Sequence, residues 1–165
     1  MPRSNKPRPS RRPARPSPAH SEKTAPHTAG AVGQVLDTRL TLALGDASAP
    51  ASLQCAGALL QALRQTYPDG LGRWFPLVPD QGPGHAREGA RESGLDLSDL
   101  RVLYRALRVS WLAELVFGSR ERAHQWLSSP KRRLLGRVPL LLCQHGKHAV
   151  AIEEWLIDID EGNGP

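Results

Sequence analysis

Cysteine, aromatic residues and long apolar runs are all scarce in this chain, and each scarcity excludes something. Cys55 and Cys143 stand alone, with no CxxC pair and no ligand set around them. They can build neither a disulfide framework nor a zinc ribbon, and read as reduced, small hydrophobic residues. Aromatic side chains are 5% of 165 residues, so the modest core that a 39% hydrophobic fraction supports must be largely aliphatic. No apolar run approaches the ~20 residues of a membrane helix. The N-terminus carries charge and proline without an apolar segment behind it, unlike a secretory signal. The expectation is a cytoplasmic protein of one domain plus a tail, or of two very small domains.

Catalytic and metal-binding patterns are missing as well. Of the six histidines only His145 and His148 are close together, and Gly146 lies between them. A metal would need two further ligands and a rigid frame. Gly82-Pro-Gly84 has neither the preceding strand nor the following Lys-Ser/Thr of a phosphate loop. Glu153 and Glu154 are adjacent and point to different sides, so they make no acid–base pair. The reading is a protein that is not an enzyme, with no metal and no cofactor.

What the chain does contain is segregated. Residues 1–23 hold seven Lys or Arg against Glu22, while the remainder balances at 15 basic and 15 acidic residues. The formal charge of +6 therefore belongs to a tail, Met1 to about Gly30, that also holds seven prolines. Such a composition cannot offset its ordering entropy by apolar burial and predicts disorder. Arg8, Arg11, Arg12 and Arg15 are its candidate contacts to nucleic-acid phosphates. The alternative is a solvated extension.

Beyond the tail the periodicity is helical. Ala31–Gly45 is compatible with a helix through Val32, Val35, Leu36 and Leu40, or with a strand through Leu40, Leu42 and Leu44. Ala51–Tyr67 carries a helical stripe of Leu53, Ala56, Leu60, Leu63 and Tyr67. Pro68-Asp69-Gly70 ends it, and four prolines between 68 and 83 exclude a long helix there, leaving a linker or an irregular cap. The strongest signal starts at Leu95. Apolar residues at 100, 103, 104, 107, 111, 112, 115 and 116 make one stripe, with Ser98 as N-cap and Gly118 as stop.

A second helix begins at Ser119, with Ala123, Trp126 and Leu127 inward, and Ser128-Ser129-Pro130 ends it. Lys131–Val138 reads as a basic loop, Pro139 as N1 of a short helix, and Lys147–Asp160 as a last helix. That helix has Val150, Ile152, Trp155, Leu156 and Ile159 inward and an acidic end. Three of four tryptophans fall after Leu95, which puts the weight of the core there. Acids at a helix C-terminus oppose the macrodipole, so a partner supplying positive charge is one explanation; a solvated acidic tail is the other. The fold class is all-α: a small multi-helix domain (95–165) behind a mostly helical region (31–94) and the basic Pro-rich tail (1–30).

Leu103-Tyr-Arg-Ala-Leu-Arg-Val109, Ala113-Glu-Leu-Val-Phe-Gly118, Ala123-x-x-Trp-Leu-x-x-Pro130, Leu135-Gly-Arg-x-Pro-Leu140 and Val150-x-x-Glu-x-x-Leu-x-x-Ile159 follow one another in order. Together they resemble the C-terminal toxin-binding domain of the Xre/MbcA/ParS-type antitoxins, over about Leu95–Gly162. The resemblance implies an antitoxin of a type II toxin–antitoxin pair. Its partner would be a RES-domain toxin, ADP-ribosyltransferase-like and NAD-consuming, whose NAD site the C-terminal segment closes. It also implies a homodimer, and in many members an upstream helix-turn-helix that represses the operon.

Carried onto this chain, the toxin-binding residues are Arg137 in the loop before the short helix, Glu153, Leu156 and Ile159 in the last helix, and Asp160, Glu161 and Gly162 at its end. The family's last helix usually ends with a basic residue and an aromatic or His before the glycine. Here Ile157-Asp-Ile-Asp-Glu-Gly162 stands instead, so a carboxylate is the group available to meet an arginine in the NAD site. Trp111, Leu112 and Leu115 are assigned to a dimer face or to core. The competing reading is an autorepressor contacting operator DNA. Against it stand a recognition helix that is hard to place in 51–94, within a region (31–94) that could be a degenerate helix-turn-helix, and a folded part without net positive charge.

Overall fold

The computed structural model describes residues 30–68, 70–78 and 94–163. The basic tail, with Arg8, Arg11, Arg12 and Arg15, and the stretch around Gly82-Pro-Gly84 lie outside the described residues. Seven α-helices follow in order among them: α1 (Ala31–Leu44), α2 (Ala56–Thr66), α3 (Leu71–Trp74), α4 (Leu97–Phe117), α5 (Arg120–Ser128), α6 (Pro139–Leu142) and α7 (Gly146–Asp160). Two 3-10 turns, Leu53–Cys55 and Arg132–Leu134, complete the set. The all-α expectation holds.

The centre is α4. Its start is a capping box: the Asp96 carboxylate accepts from the Asp99 amide (2.8 Å), and the Asp99 carboxylate accepts from the Asp96 amide (2.9 Å). Asp96 therefore caps the helix in place of Ser98, because its side chain reaches the third helical amide and Ser98 is already inside the first turn. Gly118 ends the helix in the left-handed region (φ 65°), where a Cβ would be strained. Between these caps Leu100, Leu103, Leu107 and Leu112 are fully buried, each contributing about 1.5–3 kcal/mol of burial. Ala106, Val109 and Ala113 are buried too, so the helix is covered on several sides rather than along one stripe. Helices α1 and α2 cover one part, α5 and α7 the other.

The core is not concentrated after Leu95. Of the twelve largest fully buried side chains, Leu36, Leu40, Leu59, Leu60, Leu63 and Phe75 come from residues 31–78, half of the set. Tryptophan positions mislead here because leucine supplies the buried volume. In Ala31–Gly45 the helix wins over the strand: Leu36 and Leu40 turn inward, and Leu42, which alternation would have paired with Leu40 and Leu44, is 84% exposed. Leu71–Val78 is a cap and not a linker. Phe75 and Val78 are buried, and Phe75 meets Tyr67 edge-on at 5.8 Å.

Polar ties fix the helices around α4. Arg101, Arg105 and Arg108 lie on one face of it and each reaches a different segment. Arg101 Nε donates to the Pro50 carbonyl (3.1 Å), and Arg105 donates to the Cys143 and Gln144 carbonyls (3.3 and 2.6 Å) that α6 leaves unsatisfied. Arg108 joins Asp37 of α1 and Glu153 of α7. On another side, Glu114 holds Arg39 (2.8 Å), whose guanidinium stacks on Trp111 (4.1 Å). Trp111 Nε1 donates to Thr66 Oγ1 at 3.0 Å, and Tyr67 and Ser110 share a hydrogen bond between their hydroxyls.

Candidate functional site

The C-terminal face is assembled by α5, the turn after it and the second half of α7. Ser119 starts α5, its hydroxyl accepting from the Arg122 amide (3.4 Å), with Glu121 at the positive helix end. Ala123 and Leu127 bury against α4, leaving Trp126 half-buried at the edge. Pro139 opens α6 as its first residue. The glycine at 146 is itself the first residue of α7, and His145 precedes it in extended conformation. His145 and His148 are exposed, their rings 6.1 Å apart, and the described residues contain no grouping of three metal-ligating side chains.

Residues 131–137, which the sequence reads as a basic loop, form a closed turn. The Lys131 amide donates to the Arg137 carbonyl (3.0 Å), and the Gly136 amide donates back to the Lys131 carbonyl (2.9 Å). The turn lies over an aromatic row. Lys131 sits 5.0 Å from the Trp126 ring and Arg133 5.0 Å from the Trp155 ring. The two indoles meet edge-on at 4.9 Å, and Phe117 extends the row at 5.7 Å from Trp126. Burial lowers the Lys131 pKa, as desolvation does for a cation over a ring. The Trp155 indole N–H is buried without a hydrogen-bond partner among the described residues, so packing and the cation over its face hold this side chain there.

Helix α7 is anchored on one side and open at its end. Ala149, Ile152, Trp155 and Leu156 are buried. Val150, expected among them, is 40% exposed because it falls one residue past the Ala149–Ile152–Leu156 stripe. Glu153 meets Arg108 Nε at 3.0 Å, both side chains about one-sixth exposed. Burial raises the Glu153 pKa more than Arg108 lowers it. Burial also works against the charge on Arg108, but Glu153 and Asp37 together outweigh it and raise its pKa.

The helix then stops in a Schellman arrangement: the Asn163 amide donates to the Asp158 carbonyl (2.8 Å) and the Gly162 amide to the Ile159 carbonyl (3.1 Å). Gly162 takes φ 77° to allow it. Asp160, Glu161 and Gly162 are exposed, Ile159 is half-buried, and Asp158 is offset by Arg133 at 3.7 Å.

The residues singled out from sequence thus divide. Arg137, Ile159, Asp160, Glu161 and Gly162 retain accessible surface at the turn and the helix end. Leu156 is fully buried and presents nothing to a partner, and Glu153 is committed to Arg108. Both anchor the helix. Trp111 and Leu112 are core, at 5% and 0% exposure, and Leu115 is half-buried against it. Sequence reasoning missed Arg108, Trp126, Trp155 and Arg133 as elements of the site. The signal was a basic run flanked by two tryptophans, but nothing in the spacing says which cation crosses which ring.

Residues 112–162 match the family model described as the antitoxin Xre/MbcA/ParS C-terminal toxin-binding domain, so the stretch from the last turns of α4 through the end of α7 is similar to that class of domain. Over 74 residues the chain is also 34% identical to "Antitoxin Xre" of Pseudomonas putida, a stretch that is 45% of this chain and 46% of that protein. The chain therefore matches about half the length of this curated relative. No solved structure matches. Both matches support the antitoxin resemblance read from the residues, and no described helix is long and apolar enough to cross a membrane.

Proposed function

We propose that the protein is the antitoxin of a toxin–antitoxin pair, acting by binding rather than by catalysis. Its partner is a RES-domain, NAD-consuming toxin, and it works as a homodimer in the cytoplasm. The C-terminal end of α7 occludes the toxin's NAD site. One observation carries this reading. A helix tied to α4 by Glu153 and to α5 by the edge-on contact of Trp155 with Trp126 delivers Asp160 and Glu161, exposed, to a helix end where the macrodipole disfavours them. Acids in that position cost the free fold stability, and an arginine in an NAD site would compensate them with charge-assisted hydrogen bonds. The match of residues 112–162 to a toxin-binding domain supports the same surface.

The test is growth rescue. A RES-domain toxin, the proposed partner, is expressed with the full chain or with a chain ending at Ile157. Rescue by the full chain and none by the shortened one is the expected result. Equal rescue by both would remove the α7 end from the mechanism, and failure of the full chain would remove the antitoxin reading.

A further inference from the structure

Leu135 is the anomaly of the C-terminal face. Among the described residues it alone, glycines aside, has a positive φ (56°), and at 88% it is the most exposed of the large hydrophobic side chains. Leu42 is nearly as exposed but lies in a regular helix, where the backbone is relaxed. A bulky residue in the left-handed region is strained, and Gly or Asn would sit there at less cost. Residues held in such conformations concentrate where a ligand or partner is engaged.

The backbone holds Leu135 there firmly. The Leu135 amide donates to the Arg132 carbonyl (3.0 Å), and the Arg137 amide to the Leu134 carbonyl (3.1 Å), inside the Lys131–Arg137 closure. Lys131 and Arg133 lay the base of the turn on Trp126 and Trp155. Neither the core nor the turn gains from the leucine side chain, which projects into solvent. Around it, Arg132 and Arg137 are exposed, and no carboxylate among the described residues pairs with either. The tip is thus an apolar knob flanked by two arginines that have no carboxylate partner among the described residues, set on a hydrogen-bonded base.

We propose that Leu135 is a preformed anchor that inserts into an apolar pocket of the toxin rimmed by carboxylates, with Arg132 and Arg137 meeting that rim. It rests on the antitoxin reading above and adds a second point of attachment, separate from the end of α7. A rigid, pre-strained knob loses little conformational freedom on docking, and the cations steer the encounter.

The experiment compares wild-type full-length chain with Leu135→Asn and Leu135→Met, using the proposed partner, a purified RES-domain toxin, as probe. Asn relieves the backbone and removes the apolar group; Met keeps an apolar group. Thermal midpoints and dissociation constants are read for all three. The expected result is a midpoint for Leu135→Asn equal to or above wild type, with affinity about tenfold to a hundredfold weaker. Leu135→Met should bind within about threefold of wild type. Wild-type binding with Leu135→Asn unchanged overturns the anchor and leaves the antitoxin reading intact. Absence of wild-type binding overturns both. Weakened binding to duplex DNA or to phosphatidylserine vesicles, with toxin affinity unchanged, would assign the knob to another partner and also overturn the proposal.

Discussion

Arg108 of α4 and Glu153 of α7 face each other at 3.0 Å, and the other arm of the same guanidinium reaches Asp37 of α1 at 2.9 Å. One side chain therefore fastens the first and last helices to the central one, which a planar fork can do and a single ammonium cannot. Replacing Glu153 with Ala leaves a mostly buried cation without its carboxylate on α7 and should cost about 2 kcal/mol. Arg108→Lys, keeping charge but not the fork, should lose about half as much. Thermal unfolding of the two variants checks the order; an unchanged midpoint in both would contradict the tie.

The cap formed by Leu71–Val78 makes a second prediction. Phe75 is fully buried beside Tyr67, so Phe75→Ala should destabilise the fold by about 3–5 kcal/mol. Chemical denaturation measures this directly. A loss below about 1 kcal/mol would mean that the segment behaves as a detachable linker.

Burial raises the pKa of both tyrosines: Tyr67, hydrogen-bonded to Ser110, and Tyr104, whose hydroxyl donates to the Ala47 carbonyl. An acid with a raised folded pKa holds its proton longer in the native chain than in the unfolded one. Stability is therefore fully present below the unfolded tyrosine value of about 10 and falls as pH rises above it. Phenolate absorbance should appear only together with loss of helix. A tyrosine titrating near pH 10 with the helical signal intact would contradict this burial.

The two cysteines should differ in reactivity. Cys143 is buried, its thiol pushed up to about 12 by desolvation, whereas Cys55 is half-buried with a smaller rise. A thiol-specific chromogenic reagent at neutral pH should label Cys55 in the native protein and Cys143 only on unfolding, since the thiolate is the reactive form. Rapid labelling of two thiols in the native state would show that α6 does not cover its end of the core.

Much of the fold was readable because leucine periodicity and breakers agree. Gly118, Ser119, Pro130 and Pro139 mark the boundaries of α4, α5 and α6, each through a local backbone preference that does not depend on tertiary context. Asp96 was harder, because Ser98 two residues later is an equally good cap by type and the choice depends on where the first turn begins. The internal roles of Glu153 and Leu156 were not readable as such. A motif places them on the last helix, but the side facing α4 depends on Arg108 and Asp37, far apart in sequence. Leu135 has no sequence signature, since its strain is a property of the closed turn.

The most direct measurement is inhibition of NAD consumption by the proposed partner, a purified RES-domain toxin, titrated with wild-type chain and with the double variant Asp160→Lys, Glu161→Lys. Both positions are exposed at the end of α7, and lysines there suit the helix macrodipole, so the variant should fold as well or slightly better. The account predicts stoichiometric inhibition by wild type and at least a tenfold loss of potency in the variant at an undiminished thermal midpoint. Inhibition by the variant equal to wild type would contradict the claim that the acidic end of α7 closes the toxin's site.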